Sequence, residues 1–321
     1  MIGYRRSPGI RAMRILTACL CLGAGSAWAQ ADPAPLTIRE DPALSQRLAA
    51  IAADLGLDGD FDVGEDGIEQ ISLAVIDMSG DTARIGGVNP DNFIYPASVY
   101  KMYVAAEVLR QVREGRYRLD SLLVVRAPND VDRSREIGGD PRPLLQDGDT
   151  VTVWYLLDLM ITRSDNSAAN CLIDLATRPR IDSLMHAHGW RGSEVTRKFL
   201  SRRFEDPGYA DVRGTETCAR HAAEFLYRIA THTLVDPWVS MRMRVLLGGQ
   251  LDDTKLATGL PPGAMFYHKT GWWSFWTHDV GIVDDGTTRY VMAVFLPVPE
   301  AAARPLFTEL AKRVHGVMGR R

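Results

Sequence analysis

Residues 42–55, PALSQRLAAIAADL, set apolar side chains three and four positions apart, which predicts an amphipathic helix behind a proline-rich leader. The run ISLAVIDMSGDTARIGGV then alternates and breaks at Gly80-Asp81, which predicts a β-hairpin. From 98 to about 248 the period lengthens to that of helices, over 98–113, 152–162, 166–176, 217–230 and 235–246. The intervening segments 126–150 and 190–215 are rich in Asp, Gly, Pro and Arg; loops of that length in a compact domain are often functional. Alternation returns in AMFYHKT, THDVGIVDD and TTRYVMAVFLPV, with Asp285-Gly286 as a turn, and a last helix spans 300–317.

Strands at both ends and helices between them imply that the two termini meet in one sheet. The expected fold is α/β in the α+β sense: a five-stranded antiparallel sheet flanked by terminal helices. Residues 30–96 and 249–321 would build it, and 97–248 would form an inserted all-helical domain within a single catalytic unit. Crevices between such parts are where small-molecule sites form.

Residues 1–29 stand outside that plan. Arg5, Arg6, Arg11 and Arg14 make a basic start, Ile15 to Ala24 an apolar run, and Ala27-Trp28-Ala29 a cleavage site. This reads as a secretory signal peptide, too short to span a membrane, with a periplasmic or secreted product cut near Ala29. No stable membrane anchor is expected. Removing its four arginines from the 37 basic residues leaves 33 against 40 acidic ones, a net charge of −7. With no basic stripe, nucleic acid is not an expected partner. Cys171 and Cys218 remain in the mature chain, as a disulfide or as two buried thiols.

The chemistry begins in YPASVYKMYVAAEVL, residues 95–109, a helix start that is apolar on nearly every face. Ser98 and Lys101 lie one turn apart on one face. Burial disfavours the ammonium, so the amine can take the serine proton, and free N–H groups of the first turn can receive an oxyanion. Alone, a serine and a lysine at this spacing more often make a capped surface turn. ITRSDNSAAN, 161–170, ordinarily reads as a helix break capped by Ser164 or Asp165, and HKTG, 268–271, as a strand end.

Taken in order, Ser-x-x-Lys, Ser-Asp-Asn and Lys-Thr-Gly change that balance. The set resembles the class A serine β-lactamase and penicillin-binding-protein family. The resemblance implies a β-lactamase-like fold and runs from the first helix of the mature chain to the last. It implies that Ser98 is the acylated nucleophile, Lys101 its base and Ser164 the relay to the leaving nitrogen. Asn166 would hold the substrate amide, Lys269, Thr270 and Gly271 its carboxylate end, and the backbone of Ser98 and Trp272 the oxyanion.

Two departures stand out. The family's deacylating glutamate, in E-x-x-L-N, falls about three dozen residues beyond the first serine of Ser-Asp-Asn, here near Leu200 and Ser201. KFLSRRFEDPGYADVRGTETCA contains no such motif. Glu205 is the nearest candidate, either as base or as a partner of Arg202 or Arg203; Asn170 matches a position that steadies the glutamate. Trp272-Trp273 also replaces small residues, as a stacking wall or as hairpin packing.

A metallo-hydrolase is disfavoured, since His186-Ala187-His188 is followed by Trp190 where an aspartate would be needed. No G-x-S-x-G, Walker or dinucleotide pattern occurs. No cofactor or metal is expected, and a monomer is. The expected activity is an exported β-lactamase opening penicillin-type rings through a Ser98 acyl-enzyme. The alternatives are a peptidase acting on D-Ala-D-Ala stems of peptidoglycan, or a covalent penicillin trap or sensor.

Overall fold

The computed structural model describes residues 33, 36–64, 67–134 and 139–319. The signal-peptide expectation, 1–29, lies outside them. Residues from Asp32 onward make one compact unit.

The first strand, β1 (Ile38–Glu40), leads into α1 (Pro42–Asp54), which is capped where Leu44 N–H donates to the Asp41 carboxylate at 2.9 Å. Two short strands, β2 (Phe61–Asp62) and β3 (Ile68–Glu69), precede the hairpin β4 (Ser72–Asp77) and β5 (Ala83–Val88). A tight helical turn, Ala97–Tyr100, opens α2 (Lys101–Arg113). Strands β6 (Leu122–Val124) and β7 (Thr150–Thr152) bracket a long loop before α3 (Val153–Thr162), α4 (Asn166–Ala176) and α5 (Arg178–Ala187). After a second long loop come α6 (Ala219–Ala230), α7 (Pro237–Leu247), strands β8 (Met265–Trp273), β9 (Trp276–Asp284), β10 (Arg289–Leu296) and helix α8 (Glu300–Met318).

The main sheet runs β1-β5-β4-β10-β9-β8, so strands from both ends of the chain do meet in it. It has six strands where five were expected. The extra one, β1, pairs parallel to β5 while every other pairing is antiparallel. Three residues reading Ile-Arg-Glu give no alternation to find. Helix α5 also escaped the periodicity, because it opens on Arg-Pro-Arg and buries only four of ten residues.

Both faces of the sheet are covered, so its central strands are apolar throughout rather than alternating. Ala74, Ile76, Val291, Ala293 and Phe295 face the helical body around α2. Their neighbours Leu73, Val75, Met292, Val294 and Leu296 face α1 and α8. Helix α2 is the axis of that body, buried at every residue from Lys101 to Gln111 among α3, α4, α5 and α7. Cys171 and Cys218 are unpaired, and burial pushes both thiols up to about 12. Among the described residues no helix is long and apolar enough to cross a membrane.

Candidate active site

Ser98 is half-buried in the tight turn that opens α2, preceded by Ala97 in the left-handed region at φ 45°. The edge strand β8 lies directly against this turn. A Cβ on Gly271 would sit 2.8 Å from Pro96 O and 2.9 Å from Ser98 N, so only glycine permits the approach. The contact brings the strand that carries Trp272 alongside the Ser98 backbone, where two N–H groups can converge on an oxyanion.

Lys101 is fully buried at the first position of α2. Its Nζ donates to Ser164 O at 2.7 Å, to Asn166 Oδ1 at 2.7 Å and to Ser164 Oγ at 3.3 Å. Ser164 sits between α3 and α4 with φ 59°, a conformation held by the Lys101 bond to its carbonyl. Next to it Asp165 caps α4 and is gripped by Arg163 at 2.9 Å, and Arg163 in turn holds the carbonyls of Arg142 and Pro143. From the other side, buried Lys269 on β8 donates to the same Ser164 Oγ at 3.0 Å and to Thr270 O at 2.7 Å. Two lysines from distant parts of the chain thus meet at one hydroxyl. The structure brings together Ser98, Lys101, Ser164, Asn166, Lys269, Thr270, Gly271 and Trp272, all on the turn that opens α2, the first residue of α2, the α3–α4 junction and β8.

Glu205 is not brought to this group. Its buried carboxylate accepts from Arg178 and from Lys198 N–H at 3.0 Å, with Arg197 Nε at 3.7 Å. Arg178 and Lys198 also bind Asp206, at 2.8 and 3.2 Å. Glu205 and Asp206 therefore close the neck of the 197–206 loop. Arg202 and Arg203, its other expected partners, are not the ones that hold it. Asn170 instead holds Phe199, accepting from its N–H at 2.8 Å and donating to its carbonyl at 3.4 Å. The Phe199 ring stacks on Tyr100 at 4.7 Å and lies 4.2 Å from Lys101 Nζ. A buried cation over a ring gains about 2 kcal/mol, less than the several kcal/mol that burying an ammonium costs. The two 2.7 Å hydrogen bonds of Lys101 offset part of the remainder.

Sequence reasoning missed Asp132. It lies buried in the long loop after β6 and accepts from Asn166 N–H at 2.6 Å and from Asn166 Nδ2 at 3.2 Å. Its own N–H donates to Ser167 Oγ at 2.9 Å. It reaches the site through a loop contact, and no periodicity signals such a contact.

The aromatic run divides sharply. Trp272 and Trp273 are 51% and 62% exposed at the tip of the β8–β9 hairpin, while Trp276 is buried edge-on against Tyr95. Hairpin packing therefore accounts for Trp276 and not for Trp272 or Trp273. On the opposite face of β8 from Lys269, His268 is buried between Asp279 at 2.8 Å and Asp253 at 3.3 Å. Burial opposes its charge, but the two carboxylates prevail and raise it to about 9. Among the described residues no group of three or more His, Cys, Asp or Glu side chains is placed to hold a metal ion.

The profile of the β-lactamase enzyme family matches residues 61–318, and the chain belongs to that family. No curated protein matches it. Among solved structures, a point mutant of PBP-A, an acyl-enzyme complex with penicillin-G, is 19% identical with a TM-score of 0.71. That match covers 89% of this chain and 100% of the other. A β-lactamase from Sphaerobacter thermophilus is 22% identical over 85% and 97% of the two chains, with a TM-score of 0.70. An ancestral class A β-lactamase (GNCA) is 23% identical over 85% and 99%, with a TM-score of 0.68.

Proposed function

We propose that this member of the β-lactamase enzyme family forms a Ser98 acyl-enzyme with β-lactams or with D-Ala-D-Ala-like peptidoglycan stems and releases it slowly. It is then a penicillin-binding peptidase or trap rather than a fast lactamase. In acylation the Ser98 proton passes to the Lys101 amine while Oγ attacks the carbonyl carbon. The oxyanion meets the N–H groups of Ser98 and Trp272. For this step Lys101 enters as the free amine, with the Ser164 carbonyl and the Asn166 amide oxygen already placed to accept from the ammonium it becomes. Its proton then moves across the 3.3 Å bond to Ser164, whose hydroxyl protonates the leaving nitrogen. Lys269 and Thr270 meet the substrate carboxylate, and the exposed indoles of Trp272 and Trp273 line the approach.

The observation that carries the slow release is Phe199. Asn170, expected to steady a glutamate, steadies a phenylalanine whose ring covers Lys101. The one glutamate of that loop is committed to arginines. A hydrolytic β-lactamase, the first expectation from sequence, needs a base for the attacking water. The fold neighbour PBP-A, as a point mutant, carries penicillin-G as an acyl-enzyme. The leader ending at Ala29 suits an exported protein, which acts where lactams and stem peptides are met.

Intact mass of the mature protein, followed after mixing with excess benzylpenicillin, tests this. A persistent adduct on Ser98 with about one equivalent consumed is expected. A transient adduct with all the drug hydrolysed would restore the lactamase reading, and no adduct would sink both.

A further inference from the structure

One side-chain amide stands between two groups of opposite character. Lys101, as an ammonium, only donates, so the Asn166 atom 2.7 Å from it is the oxygen. The Asp132 carboxylate only accepts, so the atom 3.2 Å from it is the nitrogen. Asp132 also takes the Asn166 backbone N–H at 2.6 Å, which fixes the carboxylate against the start of α4. Among the described residues, the other groups seen around Lys101 make no hydrogen bond to this amide. Ser164 binds from the α3–α4 junction, Phe199 from the 197–206 loop, and Lys269 of β8 through Ser164 Oγ.

We propose that Asp132 is a positioning residue for acylation: it keeps the Asn166 amide oxygen on Lys101 in both protonation states of the lysine. When Lys101 takes the Ser98 proton, its charge finds that acceptor already aimed. When the proton leaves for Ser164, Asp132 stops the amide from turning over. Without it the amide is free to present its NH₂ to the lysine and oppose proton uptake. The inference rests on Ser98 and Lys101 being nucleophile and base.

The test is a swap. Asp132→Asn faces one amide with another, and Asn166→Asp faces one carboxylate with another. Asp132→Asn is expected to slow the acylation step with benzylpenicillin about tenfold to a hundredfold, with reversible binding of the drug little changed. The double variant Asp132→Asn/Asn166→Asp restores the hydrogen bonds with the amide and carboxylate exchanged. It is expected to acylate faster and melt higher than either single variant. The acid limb of its acylation rate should move to higher pH, because a carboxylate now touches Lys101 and holds its proton. A double variant no faster than the single ones overturns the proposal, even if it melts higher, since the pairing would then be structural only. If the wild type forms no adduct, the proposed function has failed instead. The melting comparison still decides the pairing, and losses that simply add would overturn it.

Discussion

The two halves of the site were built by different rules. Where α2, the α3–α4 junction and β8 meet, each functional group sits on or beside a rigid element, and the sequence spacing became geometry. In the 197–206 loop the same spacing failed. The position steadied by Asn170 holds a phenylalanine, and Glu205 serves Arg178, Arg197 and Lys198 as a structural clamp. Helix ends and strand edges constrain which residue can occupy a place. A loop closed by arginines fixes its own neck and leaves the inward side chain open to change.

That contrast is sharpest in its largest expected effect. Ser98→Ala should abolish the penicillin adduct seen by intact mass; an adduct persisting elsewhere on the chain would sink the first half of the comparison. Gly271→Val comes next. Its side chain would enter the space 2.8 Å from Pro96 O and 2.9 Å from Ser98 N. A displacement of that size should lower the acylation rate on the order of a hundredfold, in stopped-flow with a chromogenic lactam.

Glu205→Gln tests the other half. Breaking a buried ion pair removes on the order of 3 kcal/mol, so the denaturant midpoint should fall. The lifetime of the acyl-enzyme should stay as it is. If that lifetime lengthens instead, Glu205 activates water and the two halves are one machine.

The smallest effect concerns pH. His268 is raised to about 9 by Asp279 and Asp253 against burial, so its contribution is full below its ordinary 6.5 and fades as pH climbs through 9. Burial holds His188 and His278 at about 3 and His221 at about 4. The unfolded chain protonates these three below about 6.5 while the fold does not, so stability falls as the solution is acidified. Thermal midpoints between pH 4 and 10 should peak near neutrality. His268→Gln should flatten the alkaline side alone.

Much of the fold was legible because periodicity reports burial directly. The segments 166–176 and 300–317 read as helices and are helices, and the five strands read from the sequence all pair in one sheet. What escaped were short or weakly patterned elements: the three residues of β1, the two- and three-residue strands β2, β3, β6 and β7, the last two inside a span expected to be all-helical, and the polar α5. In the candidate site, Ser98, Lys101, Ser164, Asn166 and Lys269 were picked out by their order and spacing, and the structure brings them together. Asp132 and Phe199 were not, since each matters only through what it touches across the fold.

The sequence by itself determined the layers of the fold and the set of polar groups gathered at the start of α2, because local periods and short motifs survive without knowledge of distant contacts. The tertiary structure alone decided which loop side chain covers Lys101, where Glu205 spends its charge and which carboxylate aims Asn166. Those choices are set by hydrogen bonds of a few ångströms between residues far apart in the chain, and nothing local encodes them.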